Sequence, residues 1–221
     1  FLAGTTKEFL NFCRLIYSYA TCKIPQCGHS GREVEDIWYL LNCQGREEQA
    51  TVDQCKKFVS AALLEAAWII RCQKLLRYQG EWHVAERNLF PGYVMLSVPD
   101  GQESRNALEE VLAGIFPQSS RGERNGSFYA VGRSREERLK KLCRGSTLVC
   151  LSRGCIYGRD LIVTGGPLAG YEGSIRKIDR HKRTAWVEMP KESPKGDNAE
   201  EAIVLGTICV GLEVYEKHIQ D

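Results

Sequence analysis

The sequence predicts a two-part chain: an α+β sandwich over residues 37–145, then a small all-β barrel over residues 158–221. Three observations predict it. Between 37 and 116 the apolar pattern runs strand, helix, three strands, helix. From Leu161 to Met189 it changes to short apolar runs cut by glycine, proline and charged turns. Residues 146–157 between them read as a linker.

The 221 residues allow one large or two small domains. Hydrophobic content of 43% and charged content of 26% are ordinary for a globular protein. No apolar run reaches the roughly 18 residues that a membrane helix needs. The longest, Ala61 to Ile70, is interrupted by Glu65. A soluble, cytoplasmic protein without a membrane partner is expected. The net charge of +2 is unevenly spread. Residues 1–100 balance, 101–159 carry +5, 160–183 carry +2, and 184–221 carry −5. A basic belt of this kind suits nucleic acid, and it equally suits a solvated surface. Ten cysteines are scattered with no C-x-x-C pair. Cys43, Cys55, Cys72 and Cys209 stand in apolar patterns, which suits reduced packing thiols rather than a disulfide framework.

Residues 1–36 form an extension of uncertain status. Lys7 to Tyr19 has near-helical apolar spacing. Cys22, Cys27 and His29, with Cys13 as a fourth ligand, match no common zinc spacing, so no metal and no cofactor is expected. Ile37 to Leu41 is a buried strand, broken by Gly45. Arg46 to Leu64 reads as a helix, with Val52, Cys55, Val59 and Ala62 recurring at three and four. Ala67 to Ile70 is a second strand, continued through Leu75 and Leu76. Tyr78 to Glu81 turns it, and Trp82 to Val84 returns as a hairpin partner. In Leu89 to Leu96 the Pro91-Gly92 pair should bend or end regular pairing, because proline lacks the N–H and glycine permits the kink. Ser104 to Ile115 is a helix; Gln118 to Ser127 is a polar loop. Ser134 to Glu137 is a capping box that opens a helix ending near Cys143. In the barrel, Asp179 to Arg183 makes a charged turn, and Lys191 to Glu201 a long polar one.

FPGYV at 90–94 followed by GPLAGYEG at 166–173 resembles the NusG family of bacterial transcription elongation factors. The resemblance runs from Trp38 to Glu216. It implies an NGN domain, an antiparallel sheet with flanking helices, over 37–145, and an SH3-like KOW barrel over 158–221. WYLL at 38–41, GEWHV at 80–84, GPLAGYEGSIRKIDRHKR at 166–183 and VGLEV at 210–214 look closest to the LoaP-type specialised paralogs. The chain departs from the family pattern in the extra residues 1–36 and in a longer turn at 190–202. Surface charge does not carry over, because some members have a more acidic NGN domain.

The resemblance implies a non-catalytic monomer that suppresses pausing or termination. Its NGN domain would bind the clamp helices of the largest RNA polymerase subunit, with Phe90 and Tyr93 on the docking surface and Pro91 and Gly92 shaping it. The pattern alone leaves both aromatics equally open to a core role. The KOW domain would contact nascent RNA, a ribosomal protein or the termination factor Rho. Arg176, Lys177, Arg180, His181, Lys182 and Arg183 cluster around one turn, where cations can grip RNA phosphates; a solvated hairpin tip is the plain alternative. Arg46 and Glu47 could face the upstream DNA fork or cap the first helix. Arg71, Lys74, Arg77 and Arg87 could touch non-template DNA. The rival to this factor is a ribosome-associated or general RNA-binding KOW protein. An enzyme is not expected, since no nucleophile turn, phosphate loop or paired-carboxylate spacing stands out.

Overall fold

A computed structural model describes residues 36–43, 47–116, 127–191 and 205–218, with side chains described as far as 214. The expectations for residues 1–35, for Arg46, and for most of the loops at 118–127 and 191–201 lie outside the described residues. In chain order the elements are β1 (Asp36–Asn42), α1 (Glu48–Phe58), β2 (Ala66–Trp68), β3 (Arg71–Tyr78), β4 (Glu81–Asn88), β5 (Tyr93–Pro99), α2 (Gln102–Ile115), β6 (Phe128–Ala130), α3 (Arg133–Cys143), β7 (Leu148–Val149), β8 (Ser152–Tyr157), β9 (Asp160–Gly165), β10 (Ile175–Asp179), β11 (Thr184–Glu188) and β12 (Thr207–His218). The fold is mixed α/β, with three α-helices among the described residues and largely antiparallel pairing.

The first sheet has the order β2-β5-β1-β6 and is antiparallel throughout. Successive side chains of β1 and β5 point to opposite faces. Tyr39, Leu41, Val94, Leu96 and Val98 meet Val52 and Cys55 of α1 and Leu108 and Leu112 of α2 in one core. Trp38, Leu40, Tyr93 and Met95 face the other way. Both faces are covered, so these strands appear in the sequence as unbroken apolar runs rather than as alternation.

Four strands were expected in this sheet, and four are there, but not the same four. The run from Ala67 to Leu76 splits into β2 and β3, which belong to different sheets. The break falls at Ile69-Ile70, where the Ile70 carbonyl accepts the Leu89 N–H at 2.8 Å. β3 and β4 form a hairpin, and β7 joins it in parallel on β3. The hairpin turns at Gln79 and Gly80, both at positive φ (49° and 87°), the type I′ geometry that matches strand twist. The first helix stops at Phe58, short of the expected Leu64. Val59 is already extended, and Ser60 then accepts the N–H groups of Leu63 and Leu64. The N-cap of α3 is Gly132, so Ser134 lies inside the first turn and is not the N-cap that the expected capping box needs.

The expected linker at 146–157 is not a bare connection. It contains β7 and all of β8. β8 pairs with β9 and lies parallel to β12, giving a five-stranded sheet of order β10-β11-β12-β8-β9. Its inner residues, among them Val163, Ala185, Val187, Val210 and Leu212, with Leu168 of the β9–β10 connection, belong to the same core cluster as Trp38, Trp68, Phe90 and Tyr93. The helix α3 adds Leu139, Leu142 and Cys143 to that core. Cys43, Cys55, Cys72 and Cys143 are buried free thiols. Burial pushes them up, to about 11 for Cys43 and Cys72 and about 12 for Cys55 and Cys143. Among the described residues no helix is long and apolar enough to cross a membrane.

Candidate interface for a protein partner and nucleic acid

The FPGYV stretch makes a tight corner between β4 and β5. Tyr93 donates its N–H to the Phe90 carbonyl at 3.1 Å, closing a four-residue turn. Proline follows the first residue, and Gly92 sits at φ 82°. That is the type II pattern, in which the third position needs positive φ and glycine adopts it without strain. The corner is pinned from two sides. The Gly92 N–H donates to Glu48 Oε1 at 2.9 Å, and the Gly92 carbonyl accepts the Cys43 N–H at 2.8 Å. The Glu48 carboxyl lies below its ordinary range, chiefly because of the Gly92 N–H.

This corner aims its two aromatics inward. Phe90 is 5% exposed and Tyr93 8% exposed, both within the large core. Only Pro91 of the four is fully at the surface; Gly92 is half-buried. Phe90 and Tyr93 are therefore not surface anchors in this arrangement. The turn that the proline and glycine impose points both rings toward the face shared with α3 and the second sheet.

The basic turn joins β10 to β11, with Asp179 opposite Thr184. Asp179 Oδ1 accepts the Lys182 N–H at 2.9 Å and so holds the loop shut. That bond keeps the Asp179 carboxyl below its ordinary range, with the Lys182 charge adding to it. Arg180, His181 and Lys182 are exposed at the tip. The other three cations are engaged. Arg176 Nε donates to Glu188 at 2.6 Å. Lys177 lies 5.1 Å over the Trp186 ring. Arg183 pairs with Glu213 and stacks 4.1 Å over the Trp82 ring of the β3–β4 hairpin. The six cations around this turn thus divide into three at the tip and three that each hold a neighbour, of which Arg176 and Lys177 are exposed as well and Arg183 is half-buried.

The hairpin cations do not form one patch. Opposite residues in an antiparallel pair share a face, so Arg71 and Arg77 lie on one side, Lys74 and Arg87 on the other. Arg71 meets Glu86 at 3.6 Å, and Arg77 Nε donates to the Gly80 carbonyl at 3.4 Å. Glu47 is the N-cap residue of α1 but offers no side-chain cap.

Sequence reasoning missed a set of arginines on and beside α3. Arg135, 2% exposed, donates from Nε to the Pro190 carbonyl at 3.1 Å. Arg138 donates to Ser174 Oγ at 3.2 Å and stacks 4.3 Å over Tyr171. Arg144 donates to the Gly166 carbonyl at 2.8 Å. Three cations from the basic belt thus hold the glycine-rich segment and the end of β11 from within the molecule. Their helical spacing was the available signal; their partners were not visible without the fold.

No family model matches the chain, and no curated protein matches it. Its geometry therefore stands on its own. Across the seam between the two halves, Leu151 N–H donates to Gln73 Oε1 at 3.0 Å. Cys72 Sγ lies 3.9 Å from the Cys209 carbonyl oxygen. At Gly211 the strands approach so closely that a Cβ would run into the Gln73 carbonyl oxygen and the Leu151 side chain. Among the described residues no group of three or more His, Cys, Asp or Glu is placed to hold a metal ion.

Proposed function

We propose that this chain is a bacterial transcription elongation or antitermination factor: a non-catalytic, cytoplasmic NGN–KOW protein that binds RNA polymerase and suppresses pausing or termination. The observation that carries the proposal is the pairing of two features in order. A pinned FPGYV corner leads from the β3–β4 hairpin into β5 of an α+β half. A five-stranded β half follows, with Arg180, His181 and Lys182 exposed on one turn. The exposed tip suits contact with the phosphates of nascent RNA; a ribosomal protein or Rho is the other partner that the resemblance offers.

Binding the polymerase clamp helices through Phe90 and Tyr93 requires the shared core to open, because both rings are buried in it. Burial of these rings is also what favours the second reading, a general RNA-binding KOW protein that never meets the polymerase. A pull-down with purified bacterial RNA polymerase separates them. The full chain, or failing that the seam-opening variant Gly211→Ala, is expected to retain polymerase. Retention by neither removes the polymerase role and leaves the RNA-binding one.

A further inference from the structure

Arg183 is the one member of the basic turn whose guanidinium lies on the other half of the molecule. Its backbone is in the left-handed region at φ 50°, a conformation uncommon for a non-glycine residue. Its carbonyl accepts the Leu212 N–H at 2.9 Å, which ties the base of the turn to β12. Its Nη1 donates to Glu213 Oε1, and its guanidinium carbon lies 4.1 Å over the centre of the Trp82 ring. Glu213 also holds Arg153 at 3.2 Å, so this carboxylate keeps a cation whether or not Arg183 stays. The features occupied here are those by which an arginine grips a phosphate: N–H donors in a rigid fork, and a planar face that stacks. The neighbours Arg180 and Lys182 are exposed and need no rearrangement to meet an anion.

We infer that Trp82 and RNA compete for Arg183, so that the β3–β4 hairpin holds the basic turn in a weaker-binding state. This rests on the reading of the turn as an RNA-phosphate contact. While Arg183 is stacked on Trp82, RNA reaches the tip cations alone. When RNA recruits Arg183 as well, the stack is lost and the hairpin loses one of its ties to β12. Linkage makes the effect reciprocal: the factor by which the Trp82 contact weakens RNA binding is the factor by which bound RNA weakens that contact and loosens the hairpin.

The test uses the full chain and a fluorescent hairpin RNA, with binding followed by anisotropy across a salt series. Trp82→Ala is expected to bind RNA about two- to five-fold tighter than the parent, the equivalent of one cation–π contact. Its dependence of log affinity on log salt should steepen by roughly 0.9, one added phosphate contact. Trp82→Phe, which keeps a ring, should fall between the two. Adding Arg183→Gln to Trp82→Ala should abolish the gain. A DNA hairpin of the same sequence serves as the second arm; a gain on DNA alone overturns the assignment to RNA. Hydrogen exchange of residues 71–88 should quicken when RNA is added, and unchanged exchange there counts against the competition. Arg180→Glu/Lys182→Glu distinguishes the two levels. If it leaves affinity unchanged, the turn is not the RNA site and both ideas fall. If it weakens binding while Trp82→Ala and Trp82→Phe bind like the parent, the turn stands and the competition with Trp82 is wrong.

Discussion

Phe90 decides how the FPGYV corner is understood. A surface anchor can be truncated without cost to the fold, whereas a ring at 5% exposure cannot. Removing it deletes apolar contacts and leaves a cavity that the neighbouring Trp and Leu side chains fill only partly. Phe90→Ala is expected to cost about 3–5 kcal/mol. In a urea titration the midpoint should fall with little change in slope; an unchanged midpoint would return the ring to the surface. Glu48 supports the same corner from α1, and its contribution depends on pH. Its carboxyl titrates below its ordinary value of 4.5, with the Gly92 N–H as the largest cause. A lowered folded value means stability that is fully present above the unfolded value and lost as pH falls through the folded one. Glu48→Gln should therefore lower stability at pH 7 by about 1 kcal/mol. The difference from the parent should shrink as both are acidified below the ordinary glutamate range. Denaturant melts of the two proteins at neutral and acid pH check this, and a difference that grows on acidification would contradict it.

Elements whose signal is local were legible in the sequence. β1 follows from an apolar run bounded by polar residues, and α2 from apolar spacing at three and four. The β3–β4 turn follows from Gln79-Gly80, and the bend before β5 from Pro91-Gly92. Elements defined by their partner were not. The run Ala67 to Leu76 is apolar enough to pass as one strand, and only pairing with β5 and then with β4 divides it. β6 is three residues of an edge strand, too short for any period to show. β7 and β8 lie in a stretch rich in Ser, Gly and Arg. β7 takes its strand character from parallel pairing with β3, distant in sequence, while β8 lies parallel to the distant β12 and also forms a hairpin with β9 across Gly158-Arg159, a local signal hidden in the expected linker. The same division holds for the site. Six cations around one turn could be counted, and the kink at Pro91-Gly92 could be foreseen. That Arg183 stacks on Trp82, that Arg176 pairs with Glu188, and that Phe90 points inward all depend on what lies across a gap. No composition reports that. The +5 charge of 101–159 shows the consequence, since Arg135, Arg138 and Arg144 carry part of it into contacts within the molecule.

Taken as a whole, the chain is joined more closely than two beads on a linker. One core runs from the inner face of the first sheet through α3 into the second sheet. β12 turns its inner side, Ile208, Val210 and Leu212, to its own sheet, and Gly211 on the opposite side lies against the Gln73 backbone. This position tests the seam, because a single methyl there meets a carbonyl oxygen that cannot rotate away. Gly211→Ala should part the two halves locally and lower stability by about 1–3 kcal/mol, the usual cost of overpacking. The reporter is Cys72, fully buried beside Cys209, with a thiol pushed up to about 11 and therefore slow to alkylate. Peptide mapping after timed treatment with N-ethylmaleimide should show Cys72 modified faster in Gly211→Ala than in the parent, with Cys55, in the core on the far side of the first sheet, unchanged. Gly173→Ala is the matched control, since a Cβ there meets nothing within 4 Å. If Cys72 stays equally protected in both variants, the halves do not meet at Gly211 in solution. The Trp82–Arg183 contact and the burial of Phe90 would then have to be measured again with the halves apart.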